Sequence, residues 1–300
     1  RFLGIFTVAH AALHLAVAAA VSRGREEAVD VVQILTILTI TFSTIAVPVH
    51  FDGNFVTMIW AVEAALLFWF GRARGIPLYE YLSVPVFILA LGSQILDWMV
   101  AIGDRTLAVS ELNRTPLANG AFISALVVIG AAAFIWLTDR NRKESTALPE
   151  DIAGYFGYAV AAAGLLFLYI TFGVEISHYF HLQAVAAVTE NIPGRSLADT
   201  ERMNIVWQIN YTLVFAGAML VAAMMRMRSR ELAWAGAVVG IFALIAFLTA
   251  GMLQFFELRD SYLAIAVETG SGPVMNLLVR YISYAIAAAL VYIMYRFTRD

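Results

Sequence analysis

The residue with the most chemistry in it is Glu63, an acid at the centre of an otherwise apolar run, Met58-Ile-Trp-Ala-Val-Glu63-Ala-Ala-Leu-Leu. An ionised carboxylate at mid-bilayer costs about 3 kcal/mol on insertion scales and more in simulations, so such a residue is paired, protonated or beside a wet cavity. Its sequence-level partners are Asn210, which follows Trp207 as Glu63 follows Trp60, and Arg280 near the start of the last apolar run. Two roles are open to it. It stitches two helices with one hydrogen bond, worth about 0.6–2 kcal/mol, or it stands with Asn210, Trp60, Trp207, Asp97 and Arg280 on a proton or substrate path.

The histidines offer a different chemistry. A spacing of four puts His10 and His14 on one helical face, and His178 and His181 share another, the geometry a metal or a haem would use, with Asp97 or Glu175 as a carboxylate ligand. No HExxH or other ligand motif accompanies them, so the expectation is no cofactor, with a His-ligated metal or haem as the alternative. Acids outside the apolar runs, Glu257 among them, would supply a catalytic pair for lipid or glycan chemistry, although acids are the default in a solvated loop. There is no Gly-rich phosphate loop followed by Lys and no Gly-x-Ser-x-Gly elbow, which removes nucleotide-driven work and the commonest hydrolase signature. Zero cysteines remove disulfides and thiolate chemistry together, and a net charge of −3 gives no footing for nucleic acid.

These residues must be positioned by membrane-spanning helices. Hydrophobic residues make up 61% of the chain and charged residues 14%, against about 25% charged in a soluble domain, and the mean hydropathy is +0.80. A hydrocarbon core of about 30 Å needs roughly 20 apolar residues as a helix. Nine runs qualify: 2–22, 31–49, 54–71, 81–103, 118–138, 152–175, 205–225, 232–256 and 277–296. They are too long for barrel strands and lack strict alternation, so the fold class is all-α, a polytopic helical bundle forming one transmembrane domain over 1–300. Pro85 falls inside the fourth run, where a kink is expected. In the connections, His178–Glu190 and Ser261–Glu268 have the mixed character of interfacial amphipathic helices.

Alternate connections differ in basic residues. Twelve of the nineteen Lys and Arg, including Arg72, Arg74, Arg140, Arg226, Arg228 and Arg230, fall on one side, and seven, including Arg114 and Arg280, on the other. The positive-inside rule then puts the end of the last span in the cytoplasm and the N-terminal end of the first outside. The elaborated connections 104–117, 176–204 and 257–276 lie on the outer face, with Asn113, Arg114, Glu175 and Glu257 as its candidate binding residues. An internal repeat is also legible. Trp60-x-x-Glu63 followed by Gly71-Arg72 parallels Trp207-x-x-Asn210 followed by Gly217 and Arg226, and Asn113-Arg114 is echoed by Asn276 with Arg280. Spans two to five would recur in parallel as spans six to nine, in halves 31–138 and 152–300.

Together, Trp-x-x-Glu63 closing on Gly71-Arg72, Asn113-Arg114 ahead of a span, Trp207 opening a span that ends Met225-Arg-Met-Arg228, and a last span running from Arg280-Tyr-Ile-Ser-Tyr to Tyr295-Arg296 resemble the multi-pass bacterial membrane proteins of the domain-of-unknown-function 2339 family. The resemblance extends over nearly the whole chain and implies a helical membrane fold with no known activity. Its members are often longer, with an N-terminal coiled-coil or polar region, so this chain would be the C-terminal part of such a protein. His10, His14 and the polar 176–204 connection depart from the family pattern. The expected function is that of a non-catalytic component of the bacterial cytoplasmic membrane, in contact with lipid, binding a partner protein, lipid or glycan on its outer face. A transporter or channel using Glu63 is the alternative, followed by a membrane enzyme or a metal or haem protein.

Overall fold

The computed structural model describes residues 2–22, 29–103, 115–140, 150–189, 196–227, 229–270 and 272–299. Among them there are ten α-helices and no strand: α1 (Phe2–Ser22), α2 (Val29–His50), α3 (Asn54–Arg74), α4 (Pro77–Gly103), α5 (Gly120–Arg140), α6 (Glu150–Thr189), α7 (Leu197–Ala222), α8 (Arg230–Ala246), α9 (Met252–Thr269) and α10 (Met275–Arg299). A π-helical turn, Phe247–Gly251, joins α8 to α9 without a break, and a second, Ala223–Met227, follows α7. Nine segments are long and apolar enough to cross a membrane, α8 and α9 counting as one. The polytopic all-α architecture expected from the apolar runs is therefore the fold.

The connections differ from expectation. Residues 178–189 form no separate interfacial helix, because α6 runs unbroken for 40 residues to Thr189. At about 1.5 Å per residue that is roughly 60 Å, twice the hydrocarbon thickness. Ser261–Glu268 likewise belongs to α9, and α7 starts at Leu197, eight residues before the apolar run does. Most of the outer-face loop expected between 176 and 204 is thus helix. Pro85 lies inside α4 without ending it. The residues Asn113 and Arg114 lie outside the described part of the chain.

The chain forms two compact units, Arg1–Thr171 and Phe172–Asp300, whose division falls inside α6. In the first, α3 is central, packing on α4 and α5, while α1 and α2 pair as a hairpin of helices. The α3–α4 turn is built by glycine and proline. Gly75 ends α3 in the left-handed conformation at φ 64°, and Pro77, whose fixed φ suits a first helical position, opens α4. The two helices meet so closely that a β-carbon on Gly71 would stand 2.9 Å from the backbone nitrogen of Glu80.

That approach buries a charged group. Arg72, 6% exposed, reaches Glu80 (4% exposed) through Nε at 3.2 Å and Asp139 of α5 through Nη2, with its guanidinium over the Phe68 ring. Arg72 is therefore more than a basic topology residue: it ties α3 to both neighbours. Some fifteen residues earlier a second knot joins the same helices. The Ser93 and Thr57 hydroxyls are 2.6 Å apart, Thr57 donates to Asp97 Oδ2 at 2.6 Å, Ser124 of α5 also bonds Asp97, and Gln94 donates to the Ala121 carbonyl at 3.2 Å.

In the second unit α7 is central, packed on α8 and α10. Its core is apolar, with Val206, Leu213, Leu220, Leu258, Val279 and Leu290 all at 2% exposure or less. One polar knot closes its N-terminal end, where Asp199 accepts from Arg202 at 2.9 Å, from Asn276 at 3.1 Å and from Ser261.

Removing Arg72 leaves two acids without their cation in a buried site, a loss of about 3–5 kcal/mol. Arg72→Ala should lower the thermal midpoint of the detergent-solubilised protein by about 5–15 °C. The triple change Arg72→Met, Glu80→Gln, Asp139→Asn should recover most of that loss. A single variant that melts like the parent would show the triad to be dispensable.

Candidate functional site

Glu63 lies about midway along α3, between Asn54 and Arg74. The buried stripe Thr57, Ala61, Ala64, Phe68 and Gly71 has helical spacing and faces α4 and α5. Glu63 sits beside that stripe, with Leu66, Leu67 and Phe70 at the i+3, i+4 and i+7 positions. It faces α2: Thr44 donates to Glu63 Oε1 at 2.9 Å, and Trp60 Nε1 donates to the Thr44 carbonyl at 3.0 Å. Asn210 and Arg280, the partners expected from sequence, belong to the second unit, and within its own unit Glu63 bonds Thr44. A hydroxyl one helix away takes that role, because Thr44 stands opposite when α2 packs beside α3. The second carboxylate oxygen, Oε2, is buried and has no hydrogen-bond partner among the described residues.

Around Glu63 the surfaces of α2, α3 and α4 enclose a groove of about 730 Å³, whose walls include Val47, Ile59, Val62, Leu66, Trp69 and Tyr79. The polar groups lining it are Ser43, Glu63 and Tyr79. Val62, Leu66 and Trp69 are each more than two-fifths exposed, so the groove opens on a helix face that meets lipid when α3 spans a bilayer. The groove's surface is almost wholly apolar, with Glu63 Oε2 buried at its wall, so what it offers is room for an apolar body beside an acid.

The remaining sequence candidates separate. Asp97 is held by Thr57 in the second knot of the first unit. Asn210, 1% exposed on α7, has no hydrogen-bond partner for either amide atom among the described residues, a cost of about 1–3 kcal/mol for each unmade bond. Trp207 packs against the apolar core of the second unit. Arg280 donates to its neighbour Tyr281 at 2.8 Å and lies over that ring. Glu175 is buried on α6, and Glu257 pairs with Arg202 at 3.0 Å at an exposed position, where such pairs contribute little.

His10 and His14 both pack on Phe42 at 5.5 Å between ring centroids, and His10 Nδ1 is 3.0 Å from the Phe6 carbonyl oxygen. Their shared face serves the α1–α2 contact. His178 and His181 lie on the extended part of α6. Among the described residues no group of three or more His, Asp or Glu is placed to hold a metal.

Sequence reasoning passed over Thr44, Thr57, Ser93, Glu80 and Asp139. Glu80 and Asp139 carried a signal, since each is an acid at the basic end of a span, where a buried cation would have to meet it. The hydroxyls carried none, because Ser and Thr are common in membrane helices, where they also bond their own backbone, as Thr36 and Thr39 do here.

No curated protein and no solved structure matches the chain. The family described as "Predicted membrane protein (DUF2339)" matches it over residues 3–300, so the chain belongs to that family.

Proposed function

We propose that this protein is a non-catalytic binding component of the bacterial cytoplasmic membrane, and that its ligand is a lipophilic molecule held in the groove beside Glu63. The observation that carries this reading is a volume of about 730 Å³, inside the roughly 300–1,000 Å³ range of small-molecule sites, with a carboxylate at mid-span. The outer-face partner anticipated from long loops has less to support it in the 176–204 and 257–276 connections, whose described residues are largely the ends of long helices. Lipid remains from that expectation, taken up from within the bilayer.

Transport through a polar path is the second reading. It is favoured by Asn210, which at the middle of α7 has no hydrogen-bond partner among the described residues, and by the π-helical turn inside the α8–α9 span, since such turns are frequent at functional sites. The common plan of the two units, a central helix flanked by the next span and the one after, supports an internal duplication of spans.

Organic extraction of the purified protein followed by mass spectrometry should find a lipophile enriched over bulk membrane lipid. Leu66→Trp, which fills the groove, should lose it. An unchanged extract would sink the binding reading. In proteoliposomes, flux of that lipophile abolished by Glu63→Gln would replace binding by transport.

The orientation is also a proposal, resting on the twelve-to-seven division of basic residues. The absence of cysteine makes it directly testable. A cysteine at Thr115 should react with a membrane-impermeant maleimide on intact spheroplasts, and one at Glu231 only after permeabilisation. The reverse pattern would invert the topology.

A further inference from the structure

We infer that the groove beside Glu63 selects a lipophilic organic cation. This rests on the preceding reading that the groove holds a lipophile, and it adds the sign of the charge. The groove's lining has one acid and no base. Among the described residues Glu63 Oε1 is engaged by Thr44, Oε2 has no hydrogen-bond partner, and no salt bridge reaches the carboxylate.

An ordinary phospholipid would bring only acyl chain to this depth and leave the acid uncompensated. A cation would offset it, because attraction between unit charges about 4 Å apart is several times stronger at an effective dielectric of 20 than in water. The nearest basic groups on the same element, Arg72 and Arg74, are otherwise occupied. Arg72 is turned to Glu80 and Asp139, and Arg74 lies 5.5 Å over the Phe70 ring. Toward that end of the groove Trp69 and Tyr79 supply aromatic surface, which attracts cations as well as apolar bodies. The pattern is a cationic centre at mid-span beside Glu63, with an apolar body lying along Leu66 toward Tyr79.

The test uses two ions of one shape and opposite sign. Tetraphenylphosphonium and tetraphenylborate are titrated onto the purified full chain by equilibrium dialysis. The phosphonium should bind saturably, at least about tenfold more tightly than the borate, a difference of about 1.4 kcal/mol. Glu63→Gln, which still offers Thr44 an oxygen acceptor, should bring the two ions to within about twofold. Thr44→Val keeps the charge and should keep the preference, which excludes a general disturbance of the α2–α3 packing.

Leu66→Trp should abolish both. If both ions bind the parent equally and Leu66→Trp removes both, the groove holds lipophiles but the charge selectivity is wrong. If neither ion binds in a way that Leu66→Trp changes, this inference fails at the groove itself, and the mass-spectrometric extract decides the broader reading separately.

Discussion

The two polar knots that fasten α3 between α4 and α5 set the rest of the first unit. Thr57 and Arg72 lie on one stripe of α3, and their partners on α4 and α5 fix which way that stripe points. In lipid the hydrophobic effect does not hold helices together, because the solvent is as apolar as the side chains. Close packing and interhelical polar contacts take its place. Small residues let the backbones approach, as Ala61, Ala64 and Gly71 do here. With that stripe committed, the adjoining face of α3, carrying Glu63 and Leu66, meets α2 and the groove.

The second unit solves the same problem differently. Its central helix is packed mostly by apolar side chains, with one polar knot around Asp199 near the N-terminal end and another further along, where Gln208 donates to the Gly173 carbonyl at 2.6 Å and to Ser177 at 2.9 Å. Asn210 sits at the middle of α7 with no hydrogen-bond partner among the described residues. Position along a span decides what such a group costs: near an end, water or a loop satisfies it, while at mid-depth only another buried group does. The π-helical turn at Phe247–Gly251 lies in the core beside Ile209, the residue before Asn210, so both irregularities fall in one neighbourhood.

Much of this was legible in the sequence, for a physical reason. Length and apolarity are set by the bilayer, so the nine spans and the deep acid stand out without any partner being known. The ends of α6 and α9 did not stand out. Past residue 176 the chain becomes polar, which marks where lipid ends but not where the helix does, since His, Gln, Ala and Glu continue a helix in water as readily as Leu continues one in lipid. Long-range pairs were also hidden. Arg72 and Asp139 are 67 residues apart, and nothing local to either says that their helices face each other. The histidines are ambiguous for the same reason, because a shared helical face suits stacking on one aromatic ring, as His10 and His14 do on Phe42, as well as it suits a metal.

The energetics of Glu63 separate stitching from binding. The bond from Thr44 is worth about 0.6–2 kcal/mol in a membrane, while a carboxylate at mid-span costs about 3 kcal/mol or more when ionised. A glutamine would accept the same bond without the charge, so helix stitching by itself does not account for an acid at this position. The charged triad around Arg72 makes the contrast: there every acid is set against a guanidinium within a closed packing of three helices. Among the described residues Glu63 has the hydroxyl but no cation, and it lines a groove large enough to admit one. On the proposed reading, its carboxylate is half of an interaction whose other half is the bound cation.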